Sequence, residues 1–159
     1  MPITGIIRDA ESRDLPAIAR LAALLVRQHY DFDAQRFLLV PNVQSGYADF
    51  FAGELASPAS LILAAERDGQ VVGYAYARLE PRDWNSLLDS CGALHDLFVV
   101  EEARRSGVAR ALVQAVRERL RAKGAPRLVL HTASKNVSAR HFFSTLGFRE
   151  TMVEFTAEL

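Results

Sequence analysis

The chain has 159 residues, half of them hydrophobic and about a quarter charged, which suits one compact domain over residues 1–159 rather than a disordered segment. A single cysteine, Cys91, excludes an internal disulfide framework and a multi-cysteine zinc site, so no metal is expected. The longest apolar runs are as short as Leu21 to Val26, too short to span a bilayer, and the opening Met-Pro-Ile-Thr-Gly lacks a basic or apolar leader region; a cytoplasmic location is expected.

The net charge of zero conceals a split. Residues 1–103 sum to −7, residues 104–149 to +10 with Glu118 as their one acid, and the last ten to −3. Such polarity suits a chain that handles charged ligands, one half fitted to cations and the other to anions. A nucleic-acid partner is not expected, because the basic segment lacks interleaved aromatics and a recognition motif.

In chain order, Ile3 to Arg8 reads as a short β-branched strand. Asp14 then stands as N-cap before Leu15-Pro16, with proline in the first helical turn. Leu15, Ile18, Ala22, Leu25 and His29 follow at helical spacing, predicting an amphipathic helix to about Tyr30 with His29 as a core or helix-end residue. A second helix is predicted over 45–55, ended by Ser57-Pro58. Strands at 60–67 and 70–79 flank Asp68-Gly69, a strong hairpin signal. Residues 81–90 read as a loop.

Ala93 to Val100 is a predicted strand and Val108 to Lys123 a helix, closed by Gly124 with Pro126 behind it. Arg127 to Thr132 reads as a strand, Val137 to Leu146 as a helix ended by Gly147, and Phe148 to Thr156 as a final strand. The order β-α-α-β-β-β-α-β-α-β is mixed α/β, and the strand–helix–strand unit in the second half implies a locally parallel, right-handed pair.

The segment from Leu97 to Arg110 runs from a strand through a short turn into a helix start, with Ser106, Gly107 and Ala109 at the junction. Free N–H groups in a first helical turn, with the helix dipole, form an anion site. Small side chains admit a pyrophosphate to that backbone, and Arg104, Arg105 and Arg110 add charged donors. The pattern is neither a Walker loop nor a Gly-x-Gly-x-x-Gly fingerprint. A solvated helix start is the alternative reading of the same residues.

Beyond the next strand stands Asn136-Val-Ser-Ala139-Arg-His-Phe142-Phe143-Ser-Thr-Leu146-Gly147-Phe148. Together with Arg104-x-x-Gly107-x-Ala109 after Leu97-Phe98-Val99, Arg8-x-Ala10-x-x-x-Asp14 and Val72-Gly73-Tyr74, it resembles the GNAT family of N-acetyltransferases over nearly the whole chain. The resemblance implies a twisted mixed sheet flanked by helices, whose central parallel strands through Val99 and Leu130 splay apart. It also implies acetyl-CoA as acyl donor. Pantetheine would meet the backbone of Phe98, Val99 and Val100, and the pyrophosphate the N–H groups of Arg105, Ser106, Gly107, Val108 and Ala109, with Arg104 and Arg110 beside it. Asn136, Ala139, Phe142 and Phe143 would flank the coenzyme on the other side. A homodimer is common in the resembled family, though the sequence shows no interface.

The implied reaction passes an acetyl group directly to a primary amine in a ternary complex. Alkyl amines have a pKa of about 10.4, so a base must take a proton at neutral pH. In diamine acetyltransferase-like members a glutamate of the Leu-Glu-Asp-Phe-Phe-Val strand is the proposed base; here Leu94-His95-Asp96-Leu97-Phe98-Val99 places His95 there. Imidazole, with a reference pKa of about 6.5, suits the task, and substrate contact or a surface role are its alternatives. Strand alternation points Asp96 to the opposite face unless a bulge intervenes.

A backbone N–H, that of Val99, would stabilise the oxyanion. The family's tyrosine acid is replaced by Phe143, which cannot donate a proton. Ser144, His141, Tyr74, Tyr76 or water are candidate substitutes, and a thiol with a pKa near 8.5 already leaves well. Phe143 also motivates a second reading, a coenzyme A-binding sensor or regulatory module with little transfer activity. His131 in its strand fits packing as well as function, and Cys91 has no sequence-local base to make it a nucleophile. Tyr47 and Trp84, with Glu80 and Asp83, sit in segments that border the family's acceptor pocket. The acidic first half points to a cationic amine, either a small molecule or a peptide amine.

Overall fold

The computed structural model describes residues 5–159; positions 3 and 4 of the predicted opening strand lie outside them. Five strands, β1 (Ile6–Asp9), β2 (Ser60–Arg67), β3 (Gln70–Glu80), β4 (Cys91–Val99) and β5 (Leu128–Leu130), form one sheet in chain order. β1 to β4 are antiparallel neighbours, and β5 joins β4 in parallel after a crossover through a helix. The helices are α1 (Leu15–Phe32), α2 (Val43–Leu55), α3 (Val108–Ala122) and α4 (Val137–Thr145).

Period-two alternation splits the strand residues between two cores. Ile62, Ala64, Tyr74, Tyr76 and Phe98 pack against Ile18, Leu21 and Ala22 of α1 and Phe51 of α2. Leu61, Leu63, Ala75, Ala77 and Leu94 face Leu112, Val113, Val116 and Leu120 of α3 and Phe143 of α4. The β2–β3 turn is carried by Asp68 and Gly69 at φ +51° and +76°, the left-handed pair that matches the twist of a hairpin.

Asp14 occupies the N-cap position of α1, but its carboxylate caps no α1 N–H. It accepts instead from Arg8 Nη1 and Nη2 at 2.7 and 2.9 Å and from the Glu11 N–H at 2.8 Å. Arg8 also donates to Glu66 of β2, so one guanidinium joins β1, the turn before α1 and β2. A bidentate charged pair at a site only 5% exposed outcompetes a cap that water could serve equally well.

The predicted final strand is absent. Residues 148–159 form no ladder, and Met152, Val153 and Phe155 are exposed. Phe148 is held against Phe143 and beneath Arg117, Glu150 pairs with Arg140 of α4, and Glu154 pairs with Arg36 between α1 and α2. Along this course the segment lies outside the sheet. β5 is likewise shorter than the predicted 127–132, since only three of its residues pair with β4.

The Arg8 pair lowers the Asp14 carboxyl below the ordinary carboxylate value of 3.8. Its stabilisation is therefore complete above that value and is lost as pH falls through the lowered folded-state pKa. Asp14→Asn is expected to cost about 1.5–3 kcal/mol at neutral pH. Urea melts across pH should show a shallower acid limb in the variant.

Candidate active site

The site arises where β4 breaks step. Tyr76 pairs with Asp96 but Ala77 pairs with Leu94, so His95 is an extra residue without a partner on β3. A bulge shifts the alternation by one. Leu94 and Val99 consequently share the α3 face although their numbers differ in parity. His95 and Asp96, adjacent in sequence, both line the same cavity on the α1–α2 face. The simple alternation that separates them is thereby corrected.

This cavity, of about 430 Å³, is walled by Tyr47 and Phe50 of α2, Tyr76, Arg78 and Glu80 of β3, and His95 and Asp96. His95 Nε2 lies 2.8 Å from Glu80 Oε1, and the ring stacks on Tyr76. A carboxylate only accepts, so this contact places the proton on Nε2 and leaves the lone pair on Nδ1. The imidazole is 43% exposed, within reach of a ligand in the cavity.

Below the ring lies a polar cluster centred on Glu54. Its Oε2 accepts from Tyr76 Oη at 2.6 Å, from Arg78 Nη1 at 2.8 Å, and from Ser60 Oγ. Those bonds, Ser60's foremost, hold Glu54 below the usual carboxylate range, while burial pushes Tyr76 up to about 12. Tyr74 Oη donates to Asp96 Oδ2 at 2.9 Å. Burial raises the Asp96 carboxyl above the usual range, and the Tyr74 bond opposes that rise. Glu54 and Glu80 pair with the Arg78 guanidinium, and Glu80 and Asp96 line the aromatic cavity. The arrangement favours a cation.

On the other side of β4 the sheet opens. The β4–β5 ladder runs only from Gly92↔Leu128 to Leu94↔Leu130, so the two strands part just before the bulge. The Val100 N–H donates to Val72 O on β3. By the alternation of an antiparallel ladder, Val99 then turns its N–H and C=O away from β3, toward the gap. Its carbonyl accepts from Arg104 Nε at 2.9 Å, which leaves the N–H as the group on offer.

Past β4, Arg105 and Gly107 take φ of +59° and +86°. Left-handed residues in such a turn direct successive N–H groups to one side. Gly107 brings no side-chain cap, so the first turn of α3 keeps its donors at Val108, Ala109 and Arg110. Ser106 Oγ donates to Ala103 O and accepts from Arg67, which fastens the turn from below. Arg104 lies over the Phe98 ring, closing the turn against β4. Arg110 also borders a groove of about 400 Å³ between α3 and α4, with Gln114, Arg117 and Leu146.

On α4, Asn136 Oδ1 accepts from the Ala139 N–H and is the helix N-cap. Ala139 and Phe142 are half-buried beside the core, whereas Phe143 lies in it, edge-on to Phe142 and Phe148. Ser144 and His141 are exposed and outside the His95–Asp96 cavity, and the hydroxyls of Tyr74 and Tyr76 already donate to carboxylates. Trp84 is exposed beneath Arg82, and Asp83 closes its own turn through Ser86 and Asn85. His131 is exposed beyond the end of β5, and His29 bonds Leu25 O near the end of α1. Cys91 is buried, which raises its thiol pKa. Sequence reasoning missed Phe50, Glu54 and Arg78, and it made the inward turn of Asp96 conditional on a bulge, which the β3–β4 register contains.

The class these features define is acetyltransferase. The description "Acetyltransferase (GNAT) family" belongs to the family model that matches residues 19–148, and the chain belongs to that family and is an N-acetyltransferase. An aminoglycoside N(6')-acetyltransferase type 1 of Klebsiella aerogenes is 31% identical over 107 residues, 67% of this chain and 70% of that protein. The N-acetyltransferase YhfO of Bacillus subtilis (strain 168) is 31% identical over 144 residues, 91% of this chain and 89% of that one. In fold, a tetramutant of the BH1408 protein of Bacillus halodurans superposes with a TM-score of 0.84 at 21% identity, covering 97% and 99% of the two chains. The aminoglycoside N-acetyltransferase AAC(6')-Iy in complex with CoA superposes at 0.77 with 19% identity, covering 100% and 97%.

Because the Tyr74 bond opposes the rise of the Asp96 pKa, Tyr74→Phe should raise it further. Carbon-13 NMR of the side-chain carboxyl, titrated in both proteins, measures the shift. An unchanged or lowered Asp96 pKa in the variant would contradict the assignment.

Proposed function

We propose that this single-domain N-acetyltransferase moves an acetyl group from acetyl-CoA to a cationic primary amine by direct attack in a ternary complex. The observation that carries the reading is the end of the β4–β5 ladder at Leu94 and Leu130, which opens a gap toward the Val99 N–H beside the His95–Asp96 cavity. The residues at hand fit the donor: a free strand N–H for its acyl end and an uncapped helix start behind a left-handed turn for its phosphates. Bound there, acetyl-CoA supplies a thioester carbonyl and a thiolate leaving group. A small-molecule amine is also favoured by the aminoglycoside acetyltransferases among its relatives. Nothing in this reading needs a metal or a membrane, and it suits a cytoplasmic protein.

In this proposal, Asp96 and the aromatic walls hold the ammonium form of the acceptor. His95, oriented through Nε2 by Glu80, takes a proton at Nδ1. The Val99 N–H donates to the carbonyl oxygen as negative charge grows on it. No side-chain acid is assigned to the departing thiolate, whose own pKa makes one dispensable.

Thiol release from acetyl-CoA against a panel of polyamines, aminoglycosides, amino acids and short peptides tests the reading. Acceptor-dependent release with cationic amines is expected, and acceptance of anionic amino acids alone would refute it. His95→Ala should lower kcat by about 10²–10⁴-fold and remove a near-neutral limb from the pH profile. Asp96→Asn should act mainly on KM for the amine.

A further inference from the structure

Glu80 stands between two donors. Its Oε1 lies 2.8 Å from His95 Nε2 and 3.6 Å from Arg78 Nε. The shorter contact is a hydrogen bond and the longer one is not. Arg78 Nε is nonetheless buried, and among the described residues it is the one buried side-chain nitrogen or oxygen without a hydrogen-bond partner. The two donors alone dictate the opposite choice. A charged guanidinium N–H binds a carboxylate more strongly than a neutral imidazole N–H does, and a buried N–H left unpaired is costly. Arg78 is held back by another group.

That group is Glu54. Its Oε2 accepts from Arg78 Nη1, a different corner of the fork, at 2.8 Å. Tyr76 Oη, at 2.6 Å, and Ser60 Oγ donate to the same oxygen, so Glu54 reaches from α2 and is clamped to β2 and β3 independently of Arg78. Those bonds hold its carboxyl below the usual range and keep it ionised at neutral pH. Tyr76 also stacks on His95, which sets the plane of the ring but not which nitrogen carries the proton.

We propose that Glu54 is a positioning residue for His95: by anchoring Arg78 through Nη1 it keeps Arg78 Nε off Glu80, so that Glu80 stays on His95 Nε2 and the imidazole lone pair stays on Nδ1. Glu54 does not line the cavity and acts through two intermediaries, Arg78 and Glu80. Without its charge, Arg78 closes the gap to Glu80, and His95 loses the acceptor that fixes its tautomer. The catalytic consequence rests on the reading of His95 as base, whereas the tautomer is observable without turnover.

Nitrogen-15 NMR of the imidazole in alkaline solution, where a histidine ring is neutral, reads the tautomer directly. Wild type should carry the His95 proton on Nε2. Glu54→Gln keeps the side chain's size, removes its charge, and should convert the ring to a mixture with the Nδ1–H form. The double variant Glu54→Gln/Arg78→Met has no guanidinium to capture Glu80 and should return to Nε2–H. Arg78→Met alone should keep the Nε2–H form, a check that does not depend on a Glu54 variant folding. In Glu54→Gln, kcat should fall about tenfold, part of the roughly 10²–10⁴-fold that a general base contributes, with KM for acetyl-CoA unchanged. Wild-type His95 protonated on Nδ1, a tautomer unmoved by Glu54→Gln, loss of Nε2–H in Arg78→Met, or a mixture that persists in the double variant would overturn the proposal. If the tautomer moves as expected and kcat does not, the positioning by Glu54 stands and the assignment of His95 as base falls.

Discussion

One extra residue in β4 governs the rest of the structure. Without the bulge at His95, alternation would send Asp96 to the cavity and His95 toward α3, or the reverse. With it, two ionisable side chains adjacent in sequence enter one cavity, while Leu94 and Val99 still both reach the α3 core. The same strand loses its parallel partner after Leu94. A single β-strand therefore presents side chains to the cavity and unpaired backbone to the β4–β5 gap. In the proposed reaction, that juxtaposition is what lets an amine and a thioester meet.

The buried polar groups around the cavity form a supporting frame. Glu54 gathers Ser60, Tyr76 and Arg78 onto one oxygen, and Tyr74 holds Asp96. Buried polar atoms are costly when unpaired, so these bonds restrict how the walls can rearrange. The frame also answers the puzzle of Phe143. That ring is part of the core, and the nearby tyrosine hydroxyls are committed to carboxylates. In the proposed reaction, thiol release is left to the chemistry of the leaving group, consistent with the low intrinsic pKa of thiols relative to alcohols and amines.

The charge split along the chain takes on spatial meaning in the fold. The +10 segment includes the helix start at Gly107, α4 and β5, whereas the acids of the first half include Glu80 and Asp96 at the cavity and Glu54 bonded to its Tyr76 and Arg78 walls. β4 runs between the two regions. Only the acidic tail breaks the pattern, being a short negative piece attached to the positive half, and its ion pairs with Arg140 and Arg36 span both.

The sequence by itself determined what depends on local chemistry. Apolar spacing set α1 and α3, Asp68-Gly69 the hairpin, and Gly124 the end of α3, because periodicity and left-handed turns are read within a few residues. The family was legible for the same reason: its motifs are short. Only the tertiary structure decided the faces and partners. Asp14 chose Arg8 over a helix cap through a contact across the strand, and Asp96 turned inward because β3 imposed its register. Glu54 entered the site from α2 through partners far along the chain. Residues 148–156 have the composition of a strand, but a strand exists only where it pairs with an edge, and here the segment runs outside the sheet, with Glu150 paired to Arg140 and Glu154 to Arg36.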